Sequence, residues 1–145
     1  MRKNTKQRLI AAAQAARLGA VAPYSQFQVG AALLTAEGRI ITGANVESAS
    51  YGLTCCAERV ALFHALTQGE RNFTAMAIVA RLHGGAAPCG ACRQLLSEYA
   101  PRATIWVADS AQPEQVRTFK VAALLPHAFG EFREPKVVRR QPRRP

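Results

Sequence analysis

The sequence predicts a single three-layer α/β/α domain with a mixed five-stranded sheet between its helices. Three observations carry this expectation. Segments with apolar residues at helical spacing alternate with short apolar runs of strand length. Helix-linked strand successions, 74–80 to 104–107 among them, require at least one parallel crossover. A chain of 145 residues, 49% of them hydrophobic, suits one domain that buries its own core.

Residues 5–18 read as the first helix. Leu9, Ile10, Ala12, Ala13 and Ala16 recur at helical spacing, Thr5 or Asn4 can cap the start, and Gly19 and Pro23 end it. Phe27, Val29, Ala31 and Leu33 alternate with Gln28, Gly30, Ala32 and Leu34, which suits a strand. The turn Ala36-Glu37-Gly38-Arg39 leads to a second strand from Ile40 to Gly43 and so makes a hairpin. Residues 56–68 form the next helix, with Val60, Phe63 and Leu66 along one side and Gly69 as its stop. A buried strand over 74–80, a helix over 90–99 ended by Pro101, and a short strand over 104–107 follow. The last elements are a strand over 116–119 and a short helix through Leu125, stopped by Pro126.

Charged residues make up 19% of the chain, below the roughly 25% of an average soluble domain, which excludes general disorder. No apolar stretch is long enough for a membrane span, and no apolar leader follows the basic N-terminus, so a cytoplasmic location is expected. The net charge of +10 is unevenly placed. Residues 1–8 carry +4, residues 133–145 carry +5, and the body between them only +1. The chain therefore divides into a catalytic domain over 1–132 and a basic, flexible tail over 133–145. A nucleic-acid partner is not expected, apart from weak, salt-sensitive polyanion contact by the two basic ends.

The chemistry concentrates at the cysteines: Cys55, Cys56, Cys89 and Cys92. Cys89 and Cys92 form a two-residue-spaced pair at a helix start, a spacing shared by metal sites and redox pairs. Cys56 opens another helix beside a carboxylate, Glu58. Three thiolates fill three corners of a tetrahedral zinc and leave the fourth open, as in a catalytic site. Cys55 could be a further ligand, but adjacent residues at a helix start point in different directions. Three thiolates blunt the Lewis acidity of a metal, and two features offset this. Both ligand groups lie at helix N-termini, where the macrodipole favours negative charge. Arg59, one turn from Cys56, can donate to the ligand sulfurs, with Arg93 as the competing candidate. Glu58 is placed to shuttle protons to and from a substrate; its plainer reading is an ordinary first-turn carboxylate.

Thr54-Cys55-Cys56-Ala57-Glu58-Arg59, followed by Pro88-Cys89-Gly90-Ala91-Cys92-Arg93-Gln94, resembles the signature of the cytidine deaminases, in their small homotetrameric class with three cysteine ligands. A Cys or His beside a Glu, then Pro-Cys-x-x-Cys, is the known pattern of zinc deaminases. The resemblance runs from about Leu9 to Phe129 and takes in residues 23–33, Asn45-Val46-Glu47 and residues 124–129. It implies one zinc per subunit on Cys56, Cys89 and Cys92, with Glu58 as the catalytic proton carrier and Arg59 supporting the ligands. It also implies a nucleoside substrate, a homotetramer and a place in pyrimidine salvage. The substrate contacts it implies are Phe27, Asn45, Val46, Glu47, Ala57 and Phe129. Asn45 and Glu47 would meet the ribose hydroxyls, Phe27 would line the pocket, and the backbone at Ala57 and Cys89 would hold the pyrimidine. Phe129 would reach a neighbouring subunit's site, and Tyr51 resembles an intersubunit contact. The chain departs from the family at Ser48, where Asn is frequent, and at His127, where Gly is frequent. Tested against other classes, the implied activity is hydrolytic deamination of cytidine and 2′-deoxycytidine. The alternatives are deamination of a nucleoside-like antibiotic or of a base in a polynucleotide, and a non-catalytic zinc-stabilised module.

Overall fold

The computed structural model describes residues 3–130. The expected tail over 133–145, and the boundary after residue 132, lie outside the described residues. The expected α/β architecture is present. Five strands, β1 (Val29–Thr35), β2 (Ile40–Ala44), β3 (Phe73–Ala80), β4 (Thr104–Asp109) and β5 (Gln112–Lys120), form one sheet in the order β2-β1-β3-β4-β5. Only β3 and β4 pair in parallel; the other three pairs are antiparallel. Among the described residues four α-helices accompany the sheet: α1 (Lys3–Arg17), α2 (Ala57–Thr67), α3 (Gly90–Tyr99) and α4 (Val121–Leu124).

Strand alternation divides the core in two. On one face Ile41, Leu33, Met76, Ile105 and Phe119 stand in register across all five strands, under α2 and α3. On the other, the smaller Ala32, Ala75, Ala77 and Ala108, with Val79 and Trp106, meet Leu9, Ile10 and Ala13 of α1. Full burial of each large aliphatic side chain is worth about 1.5–3 kcal/mol, so the α2/α3 face carries most of the hydrophobic stabilisation. The small residues on the α1 face let that helix lie close: a Cβ on Gly30 would stand 1.9 Å from the Ala13 carbonyl oxygen.

Four elements differ from expectation. Asn4 and Thr5 lie inside α1, which begins at Lys3, so the helix starts before either expected cap. The first strand starts at Val29, not Phe27: Gln26 has a left-handed backbone (φ 57°), and Phe27 belongs to the turn it makes. Strand β1 is also buried on both faces, so its alternation separates two cores and not core from solvent. In α2 the buried side is Ala57, Glu58, Ala61, Leu62 and Ala65, while Phe63 is exposed. The alanines one turn apart let the backbone of α2 approach β2 at Gly43, which a bulky stripe would prevent. Strand β5 is nine residues long rather than four; as an edge strand with an irregular register after Ala108 it tolerates Pro113 and many polar side chains.

The topology also gathers the loops. Strands β2, β3 and β4 run in one direction and β1 runs against them, with Gly30 opposite Ala44 and Val29 opposite Ala80. The segment before β1, the segment 45–56 after β2 and the segment 81–89 after β3 therefore emerge at the same end of the sheet. Open α/β sheets place their sites at such an end.

Candidate metal and catalytic site

Two of these segments end in a helix N-terminus, and both end in a cysteine. Cys56 is the N-cap of α2 and Cys89 the N-cap of α3, each with extended backbone that turns its side chain away from the helix. Cys92, in the first turn of α3, is fully buried. The Sγ atoms of Cys56 and Cys89 are 3.6 Å apart, and those of Cys89 and Cys92 are 3.5 Å apart. All three lie within 4.8 Å of one another, and this is the one such cluster among the described residues. A tetrahedral zinc with Zn–S near 2.3 Å separates its sulfurs by about 3.8 Å, so the donor set fits a zinc ion with little movement. Cys55 is outside the cluster; its backbone N–H and C=O side pairs with Val46, and burial pushes its thiol up.

The charge balance favours a bound cation. Cys56 is drawn down to about 5, first by a hydrogen bond from Cys92 and then, against burial, by Arg59 and Cys89. The same sharing holds Cys92 well above the usual thiol range. Three sulfurs this close cannot all ionise without a divalent ion among them. Arg59 Nη2 donates to Cys56 Sγ at 3.4 Å and to the Thr54 carbonyl at 3.2 Å. Arg93 turns elsewhere: it donates to the Pro88 carbonyl at 2.7 Å and the Leu124 carbonyl at 3.1 Å, and so ties the ligand loop to α4.

Glu58 stands on the same turn as Cys56 and is only 5% exposed. Burial, followed by the negative charge of Cys56, raises its carboxyl to about 7. A carboxyl poised there can both take and give a proton near neutral pH.

The other residues named from the sequence are held in different ways. Ala57 is fully buried at the start of α2. Asn45 is buried, accepts from Val29 N–H at 2.8 Å and donates to the Phe27 carbonyl at 2.8 Å, leaving one amide hydrogen for a ligand. Val46 bonds through its backbone to Cys55, so only its half-exposed side chain is available. Glu47 lines a cavity of about 360 Å³ with Tyr24, Ser25, Ser48, Tyr51 and Thr54. Phe129 is exposed, and its carbonyl accepts from Gln94 Nε2. His64 pairs with Gln68, and neither it nor His83 approaches the sulfurs. His127 has φ 54°, a left-handed backbone that glycine adopts freely. Sequence reasoning assigned no role to Ser25, the Gln94 contact or the edge-to-face pair of Tyr24 and Tyr51. For Ser25 a signal was available: a serine two residues before a backbone N–H commonly closes a local turn.

Residues 3–108 match the family model of the cytidine and deoxycytidylate deaminase zinc-binding region. A cytidine deaminase of Halalkalibacterium halodurans is 50% identical over 124 residues, spanning 86% of this chain and 93% of that protein. One from Sporosarcina psychrophila is 43% identical over 125 residues, 86% of this chain and 91% of that protein. The crystal structure of a cytidine deaminase from Burkholderia pseudomallei superimposes with a TM-score of 0.82 at 48% identity, covering 89% of this chain and all of that one.

Proposed function

The chain belongs to the cytidine and deoxycytidylate deaminase family, and on that premise we propose that it hydrolyses cytidine and 2′-deoxycytidine to uridine and 2′-deoxyuridine, releasing ammonia. One observation carries this reading: a buried carboxyl at Glu58, poised near neutrality, beside a cluster of three sulfurs that no further Cys, His or carboxylate joins among the described residues. Cys56, Cys89 and Cys92 would hold one zinc per subunit, which when bound would supply Lewis-acid activation of a water. Glu58 would take a proton from the attacking water as its oxygen bonds to C4, and deliver that proton to N3 of the base. It then relays the second proton to the exocyclic amine, the C4–N bond breaks, and a C4 carbonyl is left. Arg59 and the two helix N-termini offset the thiolate charge that would otherwise oppose these transfers.

Phe27, Asn45, Val46, Glu47 and Ala57 take the nucleoside, with Glu47 and the last amide hydrogen of Asn45 on the ribose hydroxyls. The working form is a homotetramer in the cytoplasm, serving pyrimidine salvage, and Phe129 closes a neighbour's pocket. The exposure of Tyr51 (78%), Leu53 (74%) and Phe129 (69%) supports assembly, because large apolar side chains this open are suited to an interface. We propose that the catalytic domain spans residues 1–132 and that truncation after Phe132 leaves cytidine turnover nearly intact. No helix among the described residues is long and apolar enough to cross a membrane. Ultraviolet absorbance of zinc-loaded protein with free cytidine tests the activity, and light scattering tests the assembly. No loss of cytidine at one zinc per chain would overturn the first, and a fully active monomer the second.

A further inference from the structure

The turn before β1 is closed by a side chain that the reaction does not use. Ser25 Oγ donates to Glu47 Oε2 and accepts from the Phe27 N–H at 3.0 Å. Glu47 Oε1 accepts from the Tyr24 and Ser25 N–H groups, both at 3.0 Å. Between Ser25 and Phe27 lies Gln26, whose φ of 57° is a left-handed backbone that few non-glycine residues hold without local support. The Phe27 carbonyl is held in turn by Asn45. Ser25 and Glu47 both line the cavity of about 360 Å³, and Thr54, on its wall, is bonded through its carbonyl to the arginine that contacts Cys56 Sγ.

We propose that Ser25 is a positioning residue for nucleoside recognition, whose one hydroxyl both aims the Glu47 carboxylate and fixes the approach of Phe27. The proposal rests on the reading above that Glu47 meets the ribose hydroxyls. A carboxylate has about four acceptor sites. The two N–H groups fill those of Oε1, and the Ser25 hydroxyl fills one of Oε2. A single lone pair of Oε2 is left for a ligand, and Ser25 decides where it points. The Ser25 hydroxyl and N–H, then the Tyr24 N–H, also hold the Glu47 carboxyl below its ordinary range, so it is an ionised acceptor at neutral pH. Without the hydroxyl, Oε2 is free to swing toward water, and the Phe27 N–H loses its partner.

Steady-state kinetics of the zinc-loaded full chain test this, with cytidine and 2′,3′-dideoxycytidine as substrates and Ser25→Ala, Ser25→Thr, Glu47→Gln and the Ser25→Ala/Glu47→Gln double variant. A charge-assisted hydrogen bond to a substrate is worth at least about tenfold in binding, so Ser25→Ala should raise the cytidine KM about tenfold with a much smaller fall in kcat. The dideoxynucleoside KM should rise far less, Ser25→Thr should recover most of the loss, and the double variant should be little worse than Glu47→Gln alone. Equal KM increases for both substrates, or additive losses in the double variant, would overturn the proposal. If Ser25→Ala unfolds in part, both substrates lose activity alike and the ratio of their KM values still decides. A Glu47→Gln enzyme that treats the two substrates as the parent does would instead overturn the ribose reading of Glu47.

Discussion

Adding one methyl group at Gly43 should damage the metal site from the far side of a helix. Gly43 lies on β2 opposite Ala31, and a Cβ there would stand 2.4 Å from the Ala61 nitrogen and 2.7 Å from the Ala57 carbonyl oxygen. Ordinary contact begins at 3.4 Å, and the obstructing atoms are helix backbone that cannot rotate away, so α2 must retreat by about 1 Å. Cys56 caps that helix and moves with it. Cys89 and Cys92 belong to α3, whereas the atoms nearest the new methyl are all α2 backbone, so the sulfur triangle opens. Metal sites tolerate about 0.2 Å in ligand distance, and a misplacement of about 1 Å can cost on the order of 10²-fold in rate. Gly43→Ala should therefore lose about 1–3 kcal/mol of stability from overpacking, and in addition bind zinc more weakly and turn over cytidine about 10²-fold more slowly. Chelator competition, thermal melts and kcat/KM for cytidine read the three effects. Gly30→Ala is the control: its clash with the Ala13 carbonyl is worse, at 1.9 Å, but falls on α1, which carries no ligand. It should destabilise the protein while the folded fraction keeps its zinc affinity. A Gly43→Ala protein with parental zinc affinity and turnover would refute the coupling of β2 to Cys56.

Glu58→Ala should keep zinc and fold but lose about 10²–10⁴-fold or more in kcat, since one carboxyl serves both proton transfers; a rate within about tenfold of the parent would end that assignment. Cys55→Ala should retain one zinc per chain by metal analysis, because Cys55 lies outside the sulfur cluster. In the metal-free protein the Glu58 carboxyl binds its proton more tightly when folded, at about 7, than at its ordinary 4.5. Stability should fall as pH rises from about 4.5 to about 7, by up to about 3 kcal/mol relative to Glu58→Gln, and urea melts that run parallel for both proteins would contradict the burial argument. At His127 the left-handed backbone should make His127→Val cost about 1–2 kcal/mol while His127→Gly is neutral or stabilising, as melting temperatures would show.

The sulfur cluster was legible early because its signals are local. Cys56 and Glu58 share one turn of α2, Cys89 and Cys92 one turn of α3, and a helix start imposes the same geometry on its first residues in any fold. Arg59 was legible for the same reason, being one turn from Cys56. Strands with strong apolar runs, such as β3, were equally clear, as was the need for at least one parallel crossover, which β3 and β4 supply. What the sequence left open depends on which element lies against which. The buried side of α2 could not be read from Val60, Phe63 and Leu66, because Ala57, Ala61 and Ala65 win only when Gly43 stands beneath them. The length of β5 depends on β4 supplying hydrogen bonds to a polar edge strand. Arg93 was ambiguous until the Leu124 carbonyl, 31 residues away, appeared within reach of it. Ser25 and Glu47 are 22 residues apart and meet only because the Val21 to Val46 bridge folds one segment onto the other. Spacing along a helix is set by covalent geometry and can be read residue by residue, whereas contacts between distant segments exist only once the sheet has closed.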